Sequence, residues 1–438
     1  MNSNPLHWLI RQAVFKSITI FYRQVEVQGR ENLPAHGPLM FVLNHPNGII
    51  DPVLLMSVLD KPIAFLAKST LFGNPIGKAV MEAFTALPIY RKQDGGENTA
   101  DRNEATFARC RRLLRQGGAM ALFPEGTTHS APQLLPMKTG AARIALGTEI
   151  DAKWQAGLQI VPVGLWYENK ALFRTATLIV IGQPFGLMDY AHDPQNPKTV
   201  QELTDYIDLR LDGVVLQAEN AELLAGIPYI AEWTNPHLTL PQQYAWSAKL
   251  LQTYQHLREQ HPMEIEQFAQ AARQYAKTLA RLGISNPWAL ELAPVHPQYL
   301  WQLAVGLWLT TPLFLLGFLL NYLPYRLAAP LATMVVGRDE TQISTVKFIG
   351  GSMLVLLAWV IEALLCGWFM GAGWGLFLFI LAPMLAYITL LWTERWREFY
   401  ELVSCKWLRW QRQELVQSLI QQRQSLAEQV LGAIQQVK

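Results

Sequence analysis

Cysteine is scarce in this chain: Cys110, Cys366 and Cys405 are all it carries in 438 residues. An odd, widely spaced set makes no disulfide framework and offers no metal-ligand spacing, so a disulfide-stapled domain and a zinc module are both excluded and a reducing compartment is expected. Charge of one sign is lacking as well, with 36 Lys and Arg against 34 Asp and Glu. No recognised nucleic-acid-binding motif accompanies that balance, so no nucleic-acid partner is expected. A nucleophile elbow of the Gly-x-Ser-x-Gly type is missing, which weakens a serine-hydrolase reading. The N-terminus lacks a small-residue cleavage site after its apolar stretch, so it does not read as a secretory signal. Instead, Trp8, Leu9, Phe15, Ile18 and Phe21 alternate with Arg11 and Lys16. That pattern predicts an amphipathic helix over residues 1–24, lying on a bilayer surface or packed on the following domain.

What is present is unevenly distributed. Residues 1–150 hold sixteen Lys and Arg against eleven Asp and Glu, a net +5, which leaves −3 for the rest. The basic part favours an anionic substrate or an anionic membrane surface. Within it, short apolar runs (39–43, 119–123, 160–165, 177–181) alternate with helical patterns at 51–59, 73–84, 99–116 and 138–147. This alternation predicts an α/β domain over residues 25–198, a sheet flanked by helices, with functional residues where strands end. Residues 199–298 read as a helical region, with 242–260 and 262–282 as an antiparallel pair broken at His261-Pro262.

Long apolar runs begin near Tyr299. Residues 303–320 carry no charge and are barely long enough to span a core of about 30 Å at about 1.5 Å per residue. Residues 349–370 and 374–392 contain one charge, Glu362, and are separated by a Gly-rich break at 371–375. They read as a hairpin of two spans, with Glu362 facing another helix. Lys347 before them and Arg395, Arg397, Lys406 and Arg409 after them place both flanks on the cytoplasmic side. Consistency then asks residues 299–336 to form a hairpin or re-entrant pair within a membrane region of 299–394. The tail, 395–438, spaces Leu415, Leu419, Leu426 and Val430 along a seam that suits a short coiled coil, with self-association, or a docked amphipathic helix.

Chemistry concentrates in Asn44-His45-Pro46-Asn47-Gly48-Ile49-Ile50-Asp51-Pro52, directly after the first buried run. A histidine and a carboxylate flank a tight bend here. Asp51 can accept a hydrogen bond from one imidazole nitrogen, leaving the other to take a proton from a hydroxyl. Asp51 also suits a helix start, and the two roles are compatible. Three further groups offer anion and hydroxyl binding. Glu125, Gly126 and Thr127 lie in Phe123-Pro124-Glu125-Gly126-Thr127-Thr128-His129-Ser130, where Glu125 can accept from substrate hydroxyls and Gly126 permits close approach. Arg91, at the end of Leu87-Pro88-Ile89-Tyr90-Arg91-Lys92, can grip a phosphate bidentately. Lys138 opens a helix whose first amides favour anions.

Taken in order, these blocks resemble the glycerolipid acyltransferase family: Asn-His…Asp, then Ile89-Tyr90-Arg91, then Phe123 to Thr127, then Val161-Pro162-Val163, over roughly residues 25–185. Two departures stand out. Five residues separate His45 from Asp51 where the family usually has four, and Thr128 occupies the position of an Arg. The longer spacing, the Leu134–Ala142 segment and Phe173-Arg174-Thr175 look like the membrane-bound glycerol-3-phosphate/dihydroxyacetone-phosphate acyltransferases. The resemblance implies a glycerolipid-acyltransferase-like sheet followed by a helical insert and C-terminal transmembrane helices. It also implies acyl transfer from an acyl thioester, acyl-CoA or acyl-ACP, to a glycerophosphate hydroxyl, in an integral membrane protein with its catalytic domain on the cytoplasmic side. In that role His45 would be the base, Asp51 its orienter, Arg91 and Lys138 the phosphate contacts, and Glu125, Gly126 and Thr127 the acceptor site. Neither a metal nor a cofactor beyond the thioester is implied. Lysophosphatidate is the alternative acceptor, and a non-catalytic lipid-binding scaffold is the alternative of another kind.

Overall fold

Runs such as Leu-Met-Phe-Val-Leu carry no charge on either side, so the strands they form must be covered on both faces. The computed structural model, which describes residues 5–59, 61–90, 99–291, 297–337 and 340–436, shows how. Its described residues form a sheet of seven strands: β1 (Gln24–Gln28), β2 (Leu39–Leu43), β3 (Ile63–Lys68), β4 (Ala86–Ile89), β5 (Ala119–Leu122), β6 (Gln159–Tyr167) and β7 (Ala176–Ile181). Their order is β1-β7-β6-β2-β5-β3-β4. Every neighbouring pair is parallel except β6 and β7, which run antiparallel. The C-terminal ends of β2, β3, β4, β5 and β6 therefore leave the sheet at one edge.

Helices cover both faces, and the pleat assigns them. In β2, Leu39, Phe41 and Leu43 point into a core shared with α1 (Pro5–Phe21), α2 (Ile50–Val58) and α3 (Pro75–Ala83). Met40 and Val42 point into the opposite core, shared with α4 (Thr99–Arg115), α5 (Gly140–Asp151) and α6 (Pro197–Asp212). Alternate residues of a strand face opposite sides, so one short strand serves two cores.

Two expectations shift here. Ile18, Phe21 and Tyr22, at the end of α1 and just after it, are buried, so this part of the expected interfacial segment 1–24 packs into the domain. Trp8 and Leu9 stay exposed. The α/β layer also runs past residue 198, because Leu203 and Ile207 of α6 are buried in the second core. The first of two compact units comprises Met1–Ala225 with Arg338–Phe348.

The second unit comprises Gly226–Gly337 with Ile349–Lys438. Helices α7 (Ala221–Thr234), α8 (Leu240–Gln260) and α9 (Pro262–Leu282) lead to α10 (Pro297–Val336), α11 (Glu340–Met370), α12 (Ala372–Gln411) and α13 (Gln413–Gln436). The apolar seam of α13 docks within the unit: Val416, Leu419 and Leu426 pack with Trp233, Tyr275 and Leu279. Arg423, which interrupts the heptad, is buried too, donating to the Trp233 carbonyl at 2.8 Å, pairing with Glu291 and lying over the Trp288 ring. Among the described residues three helices, α10, α11 and α12, are long and apolar enough to cross a membrane. Gly371, at φ +98°, separates α11 from α12 where the Gly-rich break was expected. Residues 299–336, however, form one continuous helix rather than a hairpin or re-entrant pair. Pro312, Pro324 and Pro330 lie inside it. Each proline removes only the one backbone bond to the carbonyl four residues earlier, and the apolar helix continues through these separated losses. Glu362 leaves one carboxylate oxygen buried without a hydrogen-bond partner among the described residues.

Candidate active site

Asn44 ends β2 by imitating a strand residue. Its side-chain oxygen accepts the Leu165 N–H at 2.7 Å and its amide donates to the Leu165 carbonyl at 3.1 Å. The ladder stays satisfied while the main chain turns away, and His45 leaves the sheet at the edge where the parallel strands end. Its Nδ1 lies 2.8 Å from Asp51 Oδ2, and its ring stacks on Phe123 with centroids 3.9 Å apart. Asp51 is fully buried. The Asn47 N–H also donates to Oδ2 at 2.8 Å, and the Tyr167 hydroxyl donates to Oδ1 at 2.6 Å. A buried carboxylate needs such donors. With Asp51 acting as acceptor, Nδ1 of His45 is the donor, and Nε2 is left with the lone pair. Burial first, then the Asp51 charge, holds the Tyr167 hydroxyl well above its usual range, so it stays protonated and donating. Tyr22 accepts from the Asn47 side chain at 2.9 Å and is raised by the same two causes.

The helix-start reading of Asp51 resolves at the same place. Helix α2 begins at Ile50 with Ile49 at its N-cap and no side-chain cap, so Asp51 sits inside the first turn. Its oxygens serve the bend rather than the helix end.

Glu125, at the mouth of β5, is also buried. Its Oε1 accepts the His45 N–H at 3.2 Å, its Oε2 accepts the Leu135 N–H at 2.8 Å, and the His129 Nε2 pairs with Oε2. The Ala131 N–H reaches His129 Nδ1 at 3.2 Å, which marks Nδ1 as acceptor and Nε2 as the protonated nitrogen. Glu125 thus ties three segments together from below, and its oxygens are turned to protein donors. Gly126 takes φ +69°, and the Lys138 side chain lies where a Cβ would project. Lys138 and Thr127 are exposed beside this turn. Arg91 lies outside the described residues. The residue before it, Tyr90, is pinned through its N–H and carbonyl by the Asn103 side chain at 2.9 and 2.8 Å.

Several site residues carry no sequence signal. Tyr22, Tyr167 and Lys170 come from distant positions; the Tyr167–Asp51 bond joins residues 116 apart. Lys170 Nζ donates to the Pro46 carbonyl at 3.2 Å and to the Ser130 hydroxyl at 2.6 Å, linking the two motif loops. Arg174, part of the family-like Phe173-Arg174-Thr175, caps the end of α1 through the Ile20 carbonyl at 3.1 Å. Cys110 is buried in the second core, and burial pushes its thiol up to about 12. Among the described residues no group of three His, Cys, Asp or Glu could hold a metal ion.

Residues 24–166 match the family model described as Acyltransferase. Similar curated proteins include an uncharacterized acyltransferase of Schizosaccharomyces pombe, 23% identical over 61% of this chain and 53% of that protein. Glycerol-3-phosphate O-acyltransferase 1 of Saccharomyces cerevisiae is 25% identical over 47% of this chain and 38% of its own length. The 1-acyl-sn-glycerol-3-phosphate acyltransferase of Bacillus subtilis is 27% identical over 43% of this chain and 86% of its own. The chain thus spans about half or less of the length of the two yeast relatives. Among solved structures, the 1-acyl-sn-glycerophosphate acyltransferase PlsC of Thermotoga maritima aligns with a TM-score of 0.36 at 20% identity, covering 47% of this chain and 79% of that one. Over residues 24–166 the chain is thus similar to the Acyltransferase family, whose curated members named here act on glycerol-3-phosphate or its 1-acyl derivative.

Proposed function

We propose that the chain is a membrane-bound O-acyltransferase that moves a fatty acyl group from an acyl thioester, acyl-CoA or acyl-ACP, to a hydroxyl of glycerol-3-phosphate or dihydroxyacetone phosphate. The observation that carries this reading is the His45 imidazole, held at 2.8 Å by a fully buried carboxylate with Nε2 left as the lone-pair nitrogen. His45 Nε2 takes the acceptor's hydroxyl proton as the oxygen attacks the thioester carbonyl. Asp51 stabilises the imidazolium that forms, and the imidazolium returns the proton to the departing thiolate. Such base catalysis contributes about 10²–10⁴-fold. No acyl-enzyme and no cofactor besides the thioester enters the scheme. Arg91 and Lys138 contact the acceptor phosphate, Gly126 and Thr127 shape its site, and Glu125 positions the acceptor through the loops it ties. The relatives named as glycerol-3-phosphate O-acyltransferases support the acceptor class. Helices α10–α12 hold the chain in the bilayer that its product joins; the cations flanking 349–392 favour the cytoplasmic side for the start of α11, which belongs to the same unit as the dyad.

The test uses the purified full chain in detergent with labelled acyl-CoA, then acyl-ACP, and three acceptors. Labelled product should form faster with glycerol-3-phosphate or dihydroxyacetone phosphate than with 1-acyl-glycerol-3-phosphate. A preference for the last would move the reading to a lysophosphatidate acyltransferase, and no lipid product from any combination would sink the enzyme reading.

A further inference from the structure

Helix α11 is long and apolar enough to cross a membrane, yet its opening turns belong to the unit that holds the dyad. Their contacts within that unit converge on the catalytic bend. Gly48 takes φ +55°, and a Cβ there would meet Thr345 Oγ1 at 2.8 Å and the Thr341 carbonyl oxygen at 3.2 Å. The helix closes on the bend with no space for a side chain. Ser344, fully buried, donates its hydroxyl to the Lys170 carbonyl, and Lys347 Nζ donates to the Ala171 carbonyl at 2.8 Å. Phe348 is buried against Phe21, rings 5.6 Å apart and edge-on. The loop grasped in this way carries Lys170, whose ammonium bonds the Pro46 carbonyl and the Ser130 hydroxyl.

We propose that the first turns of α11, Thr341–Phe348, and the Lys170 they hold are a positioning device for the His45–Asp51 dyad, a role that rests on the acyl-transfer reading above. Glycine visits both signs of φ about equally, so nothing in Gly48 itself selects the conformation that aims Asn47 at Asp51. Packing from α11 makes that selection. Lys170 fixes Pro46, the residue after the base, to the loop that carries Glu125 and His129. Release of either restraint leaves every catalytic group present but spreads the imidazole over more orientations, and misplacement by about 1 Å costs on the order of 100-fold in rate.

The full chain in detergent is compared with Lys170→Met, Lys170→Arg and the double variant Ser344→Ala/Lys347→Met. Acceptor kinetics and amide hydrogen exchange of the 44–51 segment are measured on each. Lys170→Met and the double variant should lose about tenfold or more in kcat with the acceptor KM within about twofold. Lys170→Arg should restore most of the loss, since it keeps the cation and its donors. Amides at 47–51 should exchange faster in the first two variants while those of α5 and α6 keep their protection. Unchanged exchange at 47–51 overturns the proposal, as does a loss confined to KM or a uniform rise in exchange across the unit. If the wild-type chain turns over no acceptor, the functional reading fails, whereas the exchange comparison still decides whether α11 restrains the bend.

Discussion

Tyr167 shows what the bend demands of its surroundings. Its hydroxyl is 2.6 Å from the Asp51 oxygen that His45 does not use, and burial keeps it protonated. Tyr167→Phe removes that donor without changing shape. A buried acceptor deprived of one partner costs about 1–3 kcal/mol, which a urea midpoint will read. Asp51 then holds the imidazole with one support fewer, so kcat should fall about tenfold with the acceptor KM little changed. An unchanged kcat would remove Tyr167 from the dyad's support. The dyad itself was legible because both members fall within seven consecutive residues around a Gly-containing bend. Its support was not: Tyr22, Tyr167 and Lys170 are ordinary residues at strand and loop ends, and only the sheet order brings them to Asp51 and Pro46. Glu125 was legible as a site residue but not in its manner of action, since its hydrogen bonds to the His45 and Leu135 amides depend on how two loops fold over each other.

Among the elements, α1 divides into a buried end and an exposed start. Ile18 is fully buried in the core beneath β2, and Trp8 is 55% exposed. Ile18→Ala should therefore destabilise the first unit by about 2–5 kcal/mol. Trp8→Ser should leave the unfolding midpoint within about 0.5 kcal/mol. Equal losses from both substitutions would contradict this division. An amphipathic pattern shows which face of a helix is apolar but not what covers it, so bilayer and protein were open alternatives in the sequence. Strands β2, β5, β6 and β7 were legible as uncharged runs. Strand β1, with Glu26 and two glutamines, lies at one edge of the sheet and β4, with Pro88, at the other, and both carry weaker patterns for that reason. Helix α6 was placed beyond the α/β layer because its polar face dominates its composition, while a few residues, Leu203, Ile207 and Leu211, fasten it to the second core.

Over the whole molecule, the chain combines an α/β unit, similar over residues 24–166 to the Acyltransferase family, with a helical unit that contains most of its apolar length. The hairpin expected over 299–336, to keep both charged flanks on one side, gives way to one continuous helix, α10, that runs through three prolines. Within the second unit it runs antiparallel to α12, with Tyr299 bonded to Glu398 and the Trp392 indole donating to the Leu307 carbonyl at 3.1 Å. The seam of α13, which suited either self-association or docking, packs within its own unit through Val416, Leu419 and Leu426. The account of function rests on the proton taken by one nitrogen. The direct measurement is the acyl-transfer rate of purified full-length His45→Ala beside wild type, in the same detergent, with labelled acyl-CoA and the preferred acceptor. The account predicts a loss of at least about 10²-fold in kcat in a variant that still unfolds cooperatively, its midpoint lowered by the donor Asp51 loses. A rate near wild type in a folded variant would contradict it.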